Sequence, residues 1–182
     1  MTSFYTKEEL NTMGFIHVGE NVHISRKASI YGSNRMSFGD NVRIDDFCIL
    51  SGDITLGSYI HIGAYCGLYG ASGIIMEDYT GLSHRCTLFS TTDDFSGDFL
   101  ISPMSPAEDC NVIGGRILIK KYSQIGSGTT IMQNLTIEEG VAVGAMSFVN
   151  RSLDEWTIYA GIPVRKIKER KRGLLKFFED EK

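Results

Sequence analysis

The sequence predicts an all-β protein whose chain winds into stacked three-sided coils, a parallel β-helix. Large apolar residues recur every six positions over most of the chain, and small or medium-sized residues occupy the fifth position of each hexad. The 182 residues include 20 glycines and only 3 prolines, which suits many tight turns. A period of six fits neither a 3.6-residue helix nor one uninterrupted half-buried strand. A short strand followed by a corner, three times per coil, does fit it.

The apolar positions define the coils, and we name the three faces A, B and C, with Val18 on face A. Successive coils are expected to pair as parallel strands about 4.8 Å apart. Each coil buries its core only against the coils above and below it. The apolar positions are Val18, Ile24 and Ile30; Phe38, Ile44, Leu50, Leu56, Ile62 and Leu68; Met76, Leu82 and Leu88; and Ile113, Ile119, Ile125, Ile131, Ile137, Val143 and Val149.

Three interruptions of the repeat fall at one corner. They follow Ile30, Leu68 and Leu88, which all lie on face C, and the longest is an excursion over residues 91–112. One interpretation is that this corner faces solvent and tolerates insertions. The other is that it builds an active site, because functional loops cluster on rigid scaffolds.

A groove of small residues is predicted beyond the excursion. If the chain re-enters on face A at Ile113, Ile125 and Val143 fall on face C, one coil apart. Gly126–Ser127 then stacks on Gly144–Ala145 beside the interrupted corner. A long thin ligand fits such a groove, although glycine also serves turns without any ligand.

The flanks and the composition set further expectations. Residues 1–17 are expected to cap the column with a short helix that begins after Thr6 and stops at Gly14. Residues 18–163 are expected to form the β-helix, and 164–182 a C-terminal helix whose basic residues are either solvated or bind phosphate. The net charge of −4 does not suggest a nucleic-acid partner. The sequence contains no run of 18 apolar residues, so no membrane span is expected. Without a secretory signal pattern, a cytoplasmic location is expected.

Cysteines carry no motif. Cys48, Cys66 and Cys86 occupy small-residue slots of the repeat, and Cys110 lies in the excursion. No CxxC pair is present, so free thiols are expected.

The hexads and one terminal segment resemble a known family. Together with Ala160-Gly-Ile-Pro-Val-Arg-Lys-Ile-Lys168, they resemble the hexapeptide-repeat acetyltransferases, closest to galactoside and maltose O-acetyltransferases and sugar-nucleotide N-acetyltransferases. The segment departs from the family pattern by Val164 in place of alanine. The resemblance implies a left-handed β-helix, acetyl-CoA as co-substrate, a sugar or sugar-nucleotide acceptor, and a homotrimer with sites between neighbouring subunits.

The resemblance also assigns catalytic candidates. In the O-acetyltransferases, a histidine in the excursion supplies the base after a strand that matches Cys86-Thr87-Leu88, and here Asp93 stands in its place. A carboxylate with the usual pKa of about 3.9 is a weak base for a hydroxyl. It would work if desolvation raised that pKa, or it would orient the acceptor. His84, which points outward from the coil before the excursion, is the second candidate.

Matched positions extend the resemblance to ligand contacts. The groove residues Gly126, Ser127, Gly144 and Ala145 would line the pantetheine arm, with a backbone N–H of Gly144 or Ala145 polarising the thioester. The remaining coenzyme candidates are Asn150, Arg151, Pro163, Arg165 and Lys168. The candidates for sugar contact, taken from the loop corner, are Tyr69, Arg85 and Asp94.

Three classes of function follow. The main prediction is acetylation of a sugar hydroxyl. The alternative, which the resemblance implies, is N-acetylation of a nucleotide-linked amino sugar, because some sugar N-acetyltransferases of this fold work without a histidine base. The third class is a non-acyltransferase β-helix, such as a γ-class carbonic anhydrase or a structural module. A zinc site of that kind needs three histidines, and His61 and His84 belong to no clear ligand set, so no metal is expected.

Overall fold

The structure, a computed structural model, describes residues 3–181, with side chains through residue 178; Met1, Thr2 and Lys182 lie outside the described residues. The chain forms a parallel β-solenoid of about seven turns with few helices, consistent with a left-handed β-helix. The predicted fold class is therefore confirmed.

Short strands make up nearly all of the regular structure. In chain order within the described residues they are β1 (His17–Val18), β2 (His23–Ile24), β3 (Ser29–Tyr31), β4 (Met36–Phe38), β5 (Val42–Ile44), β6 (Ile49–Leu56), β7 (Ile60–Ile62), β8 (Gly67–Met76), β9 (Gly81–Leu82), β10 (Thr87–Phe89), β11 (Thr91–Asp93), β12 (Val112–Gly114), β13 (Ile117–Ile119), β14 (Gln124–Ile125), β15 (Thr130–Ile131), β16 (Leu135–Ile137), β17 (Ala142–Val143), β18 (Phe148–Val149), β19 (Thr157–Ala160) and β20 (Arg165–Glu169).

The strands assemble into the three predicted faces. Face B is one sheet in the order β2-β5-β7-β9-β14-β17-β19, to which β20 adds antiparallel. Faces A and C form a single ten-stranded sheet, because β6 and β8 run across the corner between them. That corner is also where the chain inserts residues in other coils, including the 3-10 turn Ser33–Arg35 and the long excursion. The prediction that the interruptions share one corner is confirmed.

The core is a column of aliphatic side chains inside the three faces. The three coil cysteines are buried there too, and each Sγ donates to a carbonyl of the next coil, as Cys66 Sγ does to Ser83 O at 3.1 Å. The predicted apolar positions that are buried are Ile24, Phe38, Ile44, Leu50, Leu56, Ile62, Leu68, Met76, Leu82, Leu88, Ile119, Ile125, Ile131, Ile137, Val143 and Val149.

Aromatic residues occupy a strained backbone position at one corner. Tyr59, Tyr79 and Tyr122 have φ of 60°, 58° and 62°, the left-handed region, which costs roughly 1–2 kcal/mol per residue outside glycine. Their rings stack from coil to coil, with centroids 4.6 and 5.8 Å apart. Such pairs contribute about 0.5–1.5 kcal/mol each, which offsets part of the strain.

The N-terminal helix α1 (Lys7–Thr12) forms as predicted. The Thr6 side chain accepts from Glu9 N and the Glu9 carboxylate accepts from Thr6 N, a capping box. Leu10 is buried and covers the open end of the column. No helix among residues 3–181 is long and apolar enough to cross a membrane.

The C-terminal segment differs from the predicted helix. Residues 165–169 form β20, and only Gly173–Glu181 is helical, as a 3-10 helix. A strand is favoured because the last coil otherwise leaves the backbone groups of β19 unpaired at a sheet edge. The helix prediction over 165–169 is therefore wrong.

The phase of the repeat after the excursion also differs. Ile113 is 45% exposed in β12, outside the column, and the coils resume with Ile117–Ile119. Ile125 consequently pairs with Leu82 on face B. The placement of Ile125 and Val143 on face C is wrong, because the hairpin uses Ile113 and the chain needs further residues to return to the column.

Candidate active site

The excursion forms a hairpin that borders an open cavity. β11 pairs antiparallel with β12, and a 3-10 turn, Ala107–Asp109, lies between them. The cavity, which we call the loop cavity, has a volume of about 710 Å³, and Asp93, Tyr69 and Cys110 line it. Asp93 is half-buried at the end of β11. Its carboxylate therefore lies at the wall of a space large enough for a sugar.

Asp94 closes the hairpin. Its carboxylate accepts from Ser96 N at 2.8 Å and from Asn111 Nδ2 at 2.8 Å. The hydrogen bonds from Ser96, with a further one from Asn111, lower the pKa of Asp94. Both oxygens are engaged within the loop, and Asp94 does not line the loop cavity. The sugar contact of Asp94 stays a prediction. The hydrogen bonds of its carboxylate indicate a structural role, which is to hold the hairpin closed.

A second cavity lies on the outer surface of face B. We call it the face-B cavity; it has a volume of about 430 Å³ and includes Ser83, His84 and Ser127 among its lining residues. Gly81 lets the Gln124 side chain lie close to the backbone there, because a Cβ on Gly81 would lie 2.6 Å from Gln124 Oε1. His84 thus lines a cavity, but a different one from Asp93.

The small-residue groove exists, but at another corner. Gly126 N donates to Val143 O, and a Cβ on Gly126 would lie 2.5 Å from Ala145 N, so the stacking of the two small pairs is confirmed. Because Ile125 and Val143 lie on face B, the groove follows face B and opens into the face-B cavity through Ser127. Its predicted position beside the excursion is wrong.

The other coenzyme candidates lie in different parts of the column. Pro163 belongs to a segment stacked under the groove, where Phe148 N donates to Gly161 O and Val164 N to Phe148 O. Asn150 and Arg151 instead follow β18 on face C, away from the groove. The last two, Arg165 and Lys168, are exposed on β20.

The sugar candidates also separate. Tyr69 lines the loop cavity and stacks on Phe89, with ring centroids 5.2 Å apart. Arg85 lies at the corner after face B, with its guanidinium 5.7 Å from the Tyr65 ring centroid, and lines neither cavity.

A histidine hydrogen-bonded to a carboxylate at the face-B cavity was not among the candidates from the sequence. His61 lines it, and its Nε2 lies 2.7 Å from Asp45 Oδ2, while Arg43 Nε donates to Asp45 Oδ1. Burial raises the pKa of Asp45, but the hydrogen bonds from His61 and Arg43 outweigh it and hold that pKa below its usual value. The signal was present in the sequence, since the coil length places Arg43 and His61 at aligned outward positions.

Ser83 was missed as well, and it follows Leu82 directly at the mouth of the groove. Throughout residues 3–181, no group of three or more His, Cys, Asp or Glu side chains is placed to hold a metal ion. The loop cavity and the face-B cavity share no lining residue. Within one chain, Asp93 therefore lines the loop cavity and Ser83 lines the face-B cavity.

Comparison with known proteins identifies the family. No protein-family model matches the chain. The dTDP-4-amino-4,6-dideoxy-D-glucose acyltransferase of Escherichia coli is 40% identical over 170 residues, 92% of this chain and 88% of that protein. The chain belongs to the hexapeptide-repeat acyltransferases.

Solved structures agree with that membership. AntD, an N-acyltransferase from Bacillus cereus crystallised with dTDP and 3-hydroxybutyryl-CoA, is 52% identical and superimposes with a TM-score of 0.96, covering 100% of this chain and 97% of AntD. A lipopolysaccharide O-acetyltransferase homologue of Escherichia coli K12, WbbJ, is 26% identical over 86% of this chain and 72% of its own length. The two relatives with the higher identities are therefore an N-acyltransferase and an acyltransferase named for a dTDP-linked amino sugar.

Proposed function

We propose that this acyltransferase transfers an acyl group from acyl-CoA to the amino group of a dTDP-linked 4-amino-4,6-dideoxy sugar. The observation that carries the proposal is the match to AntD over the whole chain, with a TM-score of 0.96. The Escherichia coli relative, named for a dTDP-4-amino-4,6-dideoxyglucose substrate, supports the same acceptor.

The relatives favour the N-acylation alternative over the O-acetylation expected first. The O-acetyltransferase homologue is only 26% identical, against 40% and 52% for the two amino-sugar enzymes. The chemistry of Asp93 supports the same choice. A carboxylate suffices for an amine, which attacks as a neutral nucleophile and then loses a proton from a nitrogen that has become cationic, whereas a sugar hydroxyl needs a stronger base to take its proton during the attack.

The reaction needs few groups from the protein. The amine nitrogen attacks the thioester carbonyl, the nitrogen loses a proton, and the C–S bond breaks to release coenzyme A as its thiol. Asp93 accepts the proton or orients the amine, and N–H donors stabilise the oxyanion. Gly144 N already donates to Tyr159 O, so of the two N–H groups expected for this role Ala145 N fits better; it makes no hydrogen bond with another described residue.

The coenzyme arm lies in the small-residue groove. Gly126, Gly144 and Ala145 leave the backbone accessible, and Ser127 joins the groove to the face-B cavity at Ser83. The thioester would then reach Ser83 and His84.

A pair of residues in AntD supports this assignment. One serine and one aspartate have been substituted in AntD crystal structures, and they are separated by ten positions. Ser83 and Asp93 have the same separation here. We assign Ser83 to the thioester end of the site and Asp93 to the acceptor amine.

The complete site lies between two copies of the chain, within a homotrimer. Ser83 and Asp93 line different cavities of one chain, which supports a site that takes one residue from each of two copies. Cyclic assembly would set the face-B cavity of one copy against the hairpin of the next.

The proposal is tested by incubating the purified protein with acetyl-CoA or 3-hydroxybutyryl-CoA and matched acceptors. The acceptors are dTDP-4-amino-4,6-dideoxyglucose and dTDP-6-deoxyglucose, which has a hydroxyl at C4. Thiol release and product mass report transfer. We expect an amide product from the amino sugar only; ester formation on the hydroxyl sugar, or no transfer to either, contradicts the proposal.

A further inference from the structure

A gap interrupts a column of aromatic side chains on the outer surface of face C. Tyr31, Ser51, Tyr69 and Phe89 occupy aligned positions of β3, β6, β8 and β10. The Tyr69 and Phe89 rings stack with centroids 5.2 Å apart and an interplanar angle of 7°. Ser51 places only a hydroxymethyl group between Tyr31 and Tyr69. The column therefore has one position without a ring, flanked by two tyrosines.

The gap has the size of one planar ring. Rings on adjacent coils elsewhere in the molecule stack at 5.0 Å (Phe47 and Tyr65) and 4.6 Å (Tyr59 and Tyr79). Tyr31 and Tyr69 are two coils apart, about 9.6 Å at the usual spacing of parallel strands. A ring placed over Ser51 would lie one coil spacing, about 4.8 Å, from the strand position of each tyrosine, which is within the range of stacking distances.

The surroundings keep the gap open. A Cβ on Gly67 would lie 2.8 Å from Tyr69 Cε2, so only glycine lets the Tyr69 ring lean back along β8. Ile49, aligned with Gly67, and Ser51 form the floor. The Ser51 hydroxyl makes no hydrogen bond with another residue of the described chain, which leaves it for the edge of a ligand. Tyr31 is 60% exposed and Ser51 is half-buried, so solvent reaches the gap from the Tyr31 side.

We propose that this gap, the Tyr31–Tyr69 slot, binds the pyrimidine base of the nucleotide-linked acceptor. The inference rests on the proposed function, which supplies a thymine as the planar ring of the acceptor. Tyr69 also lines the loop cavity with Asp93, so a ligand held in the slot continues toward that carboxylate. The adenine of coenzyme A is the other planar ring, but the small-residue groove follows face B and begins three coils further along the column.

Filling the slot tests it. Ser51→Phe completes the aromatic column, so it should leave the melting temperature unchanged or higher while it excludes a base. Base–aromatic stacking supports a loss of dTDP affinity of roughly 5- to 100-fold, measured by calorimetry, with coenzyme A affinity unchanged. Tyr31→Ala, which removes one wall, should weaken dTDP binding in the same direction. Ser37→Phe is the matched control, because Ser37 is also a half-buried strand serine aligned with a coil neighbour, but on face A.

Each outcome of these measurements either supports or overturns the Tyr31–Tyr69 slot. Unchanged dTDP affinity in Ser51→Phe overturns the slot, as does an equal loss in Ser37→Phe. Loss of coenzyme A binding alone assigns the slot to adenine and overturns the acceptor base. A smaller assembly by light scattering means that a second copy fills the gap, and also overturns it. If the unsubstituted protein acylates the amino sugar, these failures leave the proposed function standing; if it acylates no amino sugar, both fall.

Discussion

Asp93 and Asp94 show how neighbouring residues of one type acquire different roles. Both carboxylate oxygens of Asp94 accept hydrogen bonds within the hairpin, from Ser96 and Asn111, whereas Asp93 lines the loop cavity. Only a carboxylate with an accessible oxygen can meet a substrate amine. The contacts of these two residues therefore favour Asp93 as the group that touches the acceptor.

Substitution of Asp93 should reduce catalysis without unfolding the protein. Asp93→Ala is expected to lower kcat by about 10²-fold or more, the usual contribution of a positioned acid or base. Steady-state thiol release measures it, with Asp98→Ala, an exposed hairpin residue, as the control. A loss of less than threefold, with acceptor KM also unchanged, would remove Asp93 from the site.

Gly126 is required by backbone packing. A Cβ there would meet Ala145 N at 2.5 Å and Val143 O at 2.7 Å, atoms that cannot move independently of the next coil. Gly126→Ala should destabilise the fold by about 1–3 kcal/mol in urea unfolding. Gly173→Ala, where a Cβ would meet nothing within 4 Å, should change stability by less than about 0.5 kcal/mol. Equal stability of the two variants would contradict this account of the groove.

At the scale of elements, the hairpin should open in acid. The pKa of Asp94 is lowered by hydrogen bonds from Ser96 and then Asn111, so its contribution is present above the ordinary carboxyl pKa and is lost as pH falls through the lowered value. Hydrogen exchange of residues 94–111 should accelerate selectively below about pH 4. In Asp94→Asn, exchange should already be faster at pH 7 and should lose this acid dependence; an unchanged profile would count against the loop closure.

The C-terminal strand depends on one partly buried cation. Arg170 Nη1 donates to the carbonyls of Tyr122, Gly140 and Val141 at 2.8, 3.0 and 3.3 Å, which fastens the chain after β20 to the last coils. Arg170→Met should cost about 1.5–3 kcal/mol and deprotect β20 in hydrogen exchange. Arg172→Met, which loses an exposed pair with Glu155 at 3.7 Å, should cost less than about 1 kcal/mol. Similar effects from both would show that the three carbonyl contacts add little.

The repeat predicted the coils because one physical demand, burial of an aliphatic side chain every six residues, acts in all of them. It failed where an apolar residue fits the six-residue spacing but lies outside the column. Ile113 sits six residues before Ile119, but it belongs to a hairpin strand, and this error moved the groove to the wrong face. The basic residues of β20 are compatible with a helix as well as with a strand. They form a strand because the edge of β19 would otherwise be unpaired.

Part of the proposed site follows from the same coil period and from the resemblance. Asp93 followed from its place after a recognisable strand, and the groove glycines from coil periodicity. His61 with Asp45, and the gap at Ser51, depend on which outward side chains align between coils. That alignment is calculable from the period, but outward positions carry no burial pattern to draw attention to them.

At the scale of the whole molecule, a three-sided column separates functions by corner. The interrupted corner holds the hairpin with Asp93, and the corner after face B holds the groove that leads to Ser83. Flat faces on a rigid column suit cyclic packing of identical copies. A trimer would bring one corner of each of two neighbouring chains into one site. Each copy would then contribute Ser83 to one site and Asp93 to another.

Subunit mixing therefore tests the assembly. Ser83→Ala and Asp93→Ala should each be nearly inactive alone, but trimers formed by co-expression in equal amounts should contain sites with both native residues. Random mixing in a cyclic trimer predicts recovery of about one quarter of the unsubstituted activity. The double variant co-expressed with either single variant is the control, because no site in those trimers regains both residues. If the mixed trimers stay at the level of the single variants while light scattering shows mixed assemblies of three chains, then Ser83 and Asp93 act within one subunit and the shared site is excluded.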